Sequence, residues 1–292
     1  ERAAAFSCCA SGLALRRDEP RFAMDRVYCL TSGSYVARED GAGAISQRIW
    51  VETERIYRMA AERFIKIGTS SQVRMASQAD VPGFTDESPS KHSEPVQKLS
   101  FSATQWENRA RKWSATFRER PDILTSQVSV TVRRETRYLA TTEGTRLVHG
   151  RGFARIAVSA SAKASDGMNL AVGLTFDAQE APGLPDDRTV SAAIDRLAGR
   201  LEDLRRAPAA EPYVGPAILS GRAAGVFFHE IFGHRVEGHR QTDESEGQTF
   251  AKRLGTKVLP EFVSVVFDPT RRKANGLDLN GYYLYDDEGV PA

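Results

Sequence analysis

Apolar positions recur at helical spacing in four stretches of the chain and alternate in one. Residues 54–67 place Ile56, Met59, Ala60, Phe64 and Ile67 on one stripe with charges opposite, and Gly68 is the expected stop. Residues 105–118 repeat the pattern with Trp106, Ala110, Trp113 and Phe117, closed by Pro121. The clearest amphipathic helix spans 189–206, where Val190, Ala193, Ile194, Leu197, Leu201 and Leu204 form a stripe. Asp186 and Asp187 suit its positive N-terminal end, and Arg205 and Arg206 its negative C-terminal end. A fourth helix is expected over 222–234.

Between 126 and 178 the period falls to two. Val128, Val130 and Val132 share a face; Phe153, Arg155, Ala157 and Ser159 alternate with Ala154, Ile156, Val158 and Ala160. Glu143-Gly144 and Asp166-Gly167 mark tight turns, so the stretch predicts an antiparallel meander. Shorter strands are expected over 26–36, 45–52, 216–220, 258–259, 262–267 and 281–285. Gly41 and Gly43 read as a turn, and 77–97 and 241–247 as loops. His92 then falls in an exposed loop and His149 at a strand end. Residues 182–187 and 207–212 are linkers, the second being the expected domain boundary.

The predicted fold class is α+β in two domains. An N-terminal α/β domain over 27–206 carries the meander and the long helices, after a poorly ordered start over 1–26. A β-rich C-terminal domain over 212–292 is introduced by the helix at 222–234.

Composition adds exclusions. The chain has 292 residues, 41% of them hydrophobic and 27% charged, and a net charge of +2. This is an ordinary globular composition without the basic excess of a nucleic-acid or membrane-surface binder. No apolar run approaches the ~20 residues needed to cross a bilayer. The start lacks a basic leader, so no signal peptide is assigned. The three cysteines, Cys8, Cys9 and Cys29, form a poor disulfide framework, and the default setting is the reducing cytoplasm.

The chemistry concentrates at 226–239. Three of the five histidines of the chain, His229, His234 and His239, lie there. His229 and His234 flank Glu230 in the pattern H-E-x-x-x-H. Neutral imidazole is a good zinc ligand, and a carboxylate beside a metal-activated water is a good general base. The common H-E-x-x-H helix sets its ligands four residues apart on one face. Here the spacing is five, roughly 140° of rotation on a regular helix. The two rings meet only if the turn at Phe232-Gly233 is widened or broken, and Gly233 has no Cβ to oppose the distortion.

Residues 215–238 resemble the metal-binding segment of the TldD/PmbA family, whose TldD-like members are zinc metallopeptidases with the H-E-x-x-x-H signature. Gly247-Gln248-Thr249-Phe250 and Tyr285-Asp286-Asp287-Glu288-Gly289-Val290-Pro291 are similar to later landmarks of that family, in the same order. The resemblance implies that His229 and His234 hold Zn2+ and that Glu230 is the general base. It also implies peptide or unfolded-protein substrates and a homodimer, or a heterodimer with a TldE/PmbA-like subunit. The family's third zinc ligand is a cysteine beyond the Asp-Asp-Glu-Gly segment, where this sequence ends. The expectation is therefore a truncated member, inactive by itself. Two alternatives stand beside it: a non-catalytic, TldE-like binding or assembly subunit, and a metzincin-like protease with His239 as third ligand. Glu237 is a candidate to orient a ligating histidine, and Asp286, Asp287 and Glu288 are candidates to line the cleft.

Overall fold

A computed structural model of the chain describes residues 42–71, 87–237, 249–253 and 255–292. Expected strands within 26–36, the three cysteines and His239 lie outside the described residues. The chain is mixed α and β, and it packs as two compact units that interleave along the sequence. One comprises 90–140, 144–214 and 267–292; the other includes 215–266 and the helix α1 (Ala42–Ser71).

The first unit is built on the meander. Strands β2 (Thr125–Ala140), β3 (Arg146–Lys163) and β4 (Asn169–Ala178) pair antiparallel, with Ala140 opposite Arg146 and Lys163 opposite Asn169. Gly144 and Gly167 both adopt positive φ in the connecting loops, at 105° and 89°, a conformation that glycine reaches without a steric penalty. A short strand, β1 (Lys91–Ser93), lies parallel to β3 with His92 opposite Leu147. The sheet order is β2-β3, with β4 and β1 on the far side of β3.

The period of two in β3 decides which face is covered. Ala154, Ile156, Val158, Ala160 and Ala162 are all buried. Two helices supply their partners. From α2 (Ala103–Ala115) and the 3-10 turn after it come Trp106, Trp113 and Phe117; from α3 (Asp187–Arg206) come Val190, Ile194, Leu197, Ala198 and Leu201. The Asp186 carboxylate caps α3 by accepting a hydrogen bond from Thr189 N at 2.8 Å. That hydrogen bond, with the charge of Arg188 and Arg109, lowers the Asp186 pKa. The C-terminal stretch joins this unit through side chains: Asp287 pairs with Arg137 on β2, and Asp278 accepts from Gln179 N at 3.4 Å.

Several expected elements differ. Residues 45–52 are helical, because α1 begins at Ala42 and runs without interruption past Gly68 to Ser71. Ile45, Ile49 and Ile56 continue a helical spacing toward the chain start, and Arg48 pairs with Glu52 one turn on. His92 lies in β1 rather than in a loop, and His149 lies within β3 opposite Arg137.

The C-terminal stretch is not β-rich among the described residues. It holds only β5 (Lys273–Ala274), β6 (Leu277–Asp278) and one isolated bridge between Tyr285 and Pro291. Residues 216–220 and 262–267 are apolar and β-branched, but a strand needs a hydrogen-bonding neighbour. No strand is assigned over them among the described residues, and Ile218, Phe262, Val266 and Phe267 stand exposed. The β5–β6 hairpin turns on Asn275 and Gly276, both at positive φ, an Asn-Gly signal that the expected elements did not include.

Candidate metal centre

Helix α4 (Gly221–Ile231) carries the first half of the motif. Ser220 caps it, its hydroxyl accepting from Ala223 N at 3.4 Å. The helix stops three residues short of the expected end. Phe232 N still donates to Phe228 O, but the Phe232 backbone turns to φ −125° and ψ −52°. A 3-10 turn over Gly233–Arg235 follows, closed by Arg235 N to Phe232 O at 2.9 Å.

The turn is thus broken and tightened, not widened, and the effect on the side chains is the one the spacing demands. The His229 and His234 rings meet edge to face with centroids 4.4 Å apart. Gly233 is not required sterically: a Cβ there would lie 3.9 Å from its nearest neighbours, at ordinary contact distance.

Glu230 approaches both rings. Its carboxylate oxygens are 4.0 Å from His229 Nε2 and 3.8 Å from His234 Nε2. One donor atom from each of the three residues falls within 4.8 Å of the others, the one such cluster among the described residues able to hold a metal ion. Glu237 Oε1 accepts a hydrogen bond from His234 Nδ1 at 2.7 Å, on the opposite side of the ring. Arg235 donates to the Thr249 hydroxyl at 3.1 Å, and Phe232 packs at 5.8 Å against Phe250. These contacts tie the motif to Thr249 and Phe250 of the second landmark.

The acidic landmark makes its contacts within its own compact unit. Asp286 serves its own turn by accepting from Glu288 N and Val290 N, and Asp287 pairs with Arg137. Both belong to the other compact unit.

A second titratable cluster has no counterpart in the sequence reading. Tyr285 lies between His92 and His149, with ring centroids at 5.5 Å and 5.7 Å. Glu94 accepts from His92 Nε2 at 3.2 Å and from Gly150 N at 3.3 Å, which together hold its pKa below the usual carboxylate range. His149 Nε2 is buried without a hydrogen-bond partner. No local spacing announces this cluster, since His92, His149 and Tyr285 are far apart in sequence; only the β1–β3 pairing unites the histidines.

Residues 213–292 match the family described as PmbA/TldA metallopeptidase C-terminal domain. Over 213–292 the chain is thus similar to the PmbA/TldD family. A protein named Metalloprotease from Archaeoglobus fulgidus is 41% identical over 76 residues, which is 26% of this chain and 16% of that protein. Metalloprotease slr0863 from Synechocystis sp. is 27% identical over 173 residues, 58% of this chain and 35% of that protein. The matched stretches therefore span well under half of either relative. No solved structure matches the chain. Among the described residues, no helix is long and apolar enough to cross a membrane.

Proposed function

We propose that this chain is the metal-binding part of a zinc-dependent, TldD-like peptidase acting on peptides or unfolded protein segments. In this reading His229 and His234 hold the metal and Glu230 is the general base. The observation that carries it is the convergence of these three side chains at a helix break, despite a five-residue spacing that a regular helix would splay apart. The PmbA/TldD segment match and the two relatives named as metalloproteases support the same reaction class.

The two imidazoles suit zinc, which takes imidazole nitrogen at about 2.0–2.1 Å. When bound, zinc supplies Lewis acidity, polarising a carbonyl and acidifying a water. The rest falls to the chain's own residues. His229 and His234 would hold the metal. The Glu230 carboxylate, beside both rings, takes a proton from the attacking water and delivers it to the leaving amine. A second subunit, TldD-like or TldE-like, and a cytoplasmic setting belong to the same proposal.

One observation favours a second reading, a non-catalytic binding or assembly subunit. The side chains of His229 and Glu230 are each 61% exposed, whereas a hydrolytic site gains from excluding bulk water. Metal analysis combined with a peptidase assay separates the two. Stoichiometric zinc that is lost in both His229→Ala and His234→Ala, together with peptide cleavage, is expected for the peptidase. A purified full-length protein with neither metal nor cleavage would overturn it in favour of the second reading.

A further inference from the structure

We infer that Glu237 is a positioning residue that fixes the His234 tautomer, leaving Nε2 as the one nitrogen free to ligate a divalent metal. The inference rests on the metal-site reading and adds a residue to it.

The argument starts from the two ends of the His234 ring. Nδ1 lies 2.7 Å from Glu237 Oε1. Nε2 lies 3.8 Å from Glu230 Oε2, and the His229 and His234 ring centroids are 4.4 Å apart. An ionised carboxylate only accepts, so the hydrogen in the Nδ1–Oε1 contact sits on the imidazole. A neutral ring with its hydrogen on Nδ1 has its lone pair on Nε2. That lone pair is the one aimed at the cluster.

The broken helix brings Glu237 into place. Glu237 follows the turn over Gly233–Arg235 and its cap Val236, and its side chain reaches back three residues to His234. The same break that brings His234 toward His229 thus delivers the carboxylate that orients it. Arg235 donates to Thr249 Oγ1 at 3.1 Å, which anchors the turn from its other side. Partial burial strengthens the hydrogen bond: the His234 and Glu237 side chains are 35% and 34% exposed, against 61% for Glu230. A carboxylate on the far nitrogen of a ligating histidine both selects the tautomer and raises the basicity of the metal-facing nitrogen, and its loss typically weakens metal binding about 10–100-fold.

The test uses the full chain and two readouts: imidazole nitrogen NMR of the metal-free protein, and zinc affinity by competition with a chelator. The wild type is expected to show neutral His234 protonated at Nδ1. Glu237→Ala is expected to lose that tautomer's dominance and to bind zinc about 10–100-fold more weakly. Glu237→Gln, whose amide carbonyl still accepts from Nδ1–H, is expected to keep the tautomer and most of the affinity. A wild-type His234 protonated at Nε2, or zinc affinity unchanged in Glu237→Ala, would overturn the positioning role alone. Absence of zinc binding by the wild type would overturn the underlying metal-site reading, while the NMR readout still decides the tautomer.

Discussion

The Tyr285 ring stands edge-on to His149, with centroids 5.7 Å apart and planes at 62°. His149 belongs to β3 and Tyr285 to the C-terminal stretch, so this contact fastens the end of the described chain to the central sheet. His92 on β1 meets the same tyrosine at 5.5 Å, and Arg137 on β2 holds Asp287 two residues further on. The landmark around Asp286 thus begins on a histidine-lined stretch of the sheet.

That placement makes the attachment sensitive to pH. Burial lowers the His149 pKa below its ordinary 6.5, and the nearby Arg137 and His92 add to the effect, while Glu94 and Glu135 oppose it. A histidine with a depressed folded-state pKa binds its proton less readily folded than unfolded. Its contribution is therefore complete above the unfolded value, about pH 6.5, and is lost as pH falls from there through the lower folded value. Hydrogen exchange at the amides of 285–290 is expected to be slowest above neutrality and to quicken as pH drops below about 6.5, after correction for intrinsic exchange. His149→Gln is expected to flatten that dependence. An unchanged pH profile in the variant would remove His149 as its source.

Gly289 offers a way to loosen the same attachment without touching charge. Its φ is 86°, and a Cβ built there would lie 2.7 Å from Leu139 Cδ2 and 2.9 Å from Thr145 Cγ2. Both side chains are on or beside the β2–β3 hairpin, and Thr145 is buried. Gly289→Ala combines an unfavourable backbone conformation with overpacking, together worth about 1–3 kcal/mol. Faster exchange confined to 283–291, with β3 and α3 unaffected, is the expected result. Equal loss of protection throughout the unit would mean that the stretch is not a separate opening element.

The extent to which the sequence discloses this architecture depends on how local each pattern is. The meander is legible because its alternation is uninterrupted and its turns carry Gly144 and Gly167 where positive φ is needed. The trio His229, Glu230 and His234 is legible because its members are close in sequence. The conflict between their spacing and a regular helix also pointed to the distortion at Phe232, though not to its tightening. The pairing of His92 with the His149 region is not legible, because it depends on a three-residue parallel strand closing a loop of more than fifty residues. The segment 45–52 misleads because Ile45, Ile49 and Val51 have strand propensity, and only the longer helical spacing through Ile56 decides against it.

Stability of the sheet-and-helix unit is expected to rest on one side of α3. Leu201 is fully buried, whereas Leu204, one turn away on the same helix, is 39% exposed. Leu201→Ala should cost about 2–5 kcal/mol, through lost burial and the cavity left against the sheet. Leu204→Ala should cost well under half of that. Denaturant unfolding of the two variants, followed by tryptophan fluorescence of Trp106 and Trp113, measures both. Similar costs would indicate that Leu204 is covered in solution by something beyond the contacts described.

The sharpest prediction about chemistry concerns Glu230. In the peptidase reading its carboxylate moves a proton and does not hold the metal, although its oxygens lie within 4.0 Å of both imidazole Nε2 atoms. Glu230→Gln keeps the size and the hydrogen-bonding reach of the side chain but removes its basicity. Zinc affinity should therefore change little, while peptide hydrolysis by the intact assembly should fall about 100–10,000-fold, the usual contribution of a positioned general base. His229→Ala should show the opposite order, losing metal first and activity as a consequence. If Glu230→Gln instead releases the metal as readily as His229→Ala does, Glu230 is a ligand. The three clustered donors would then form a His-Glu-His metal site, and the proton transfer would have to be assigned to another group.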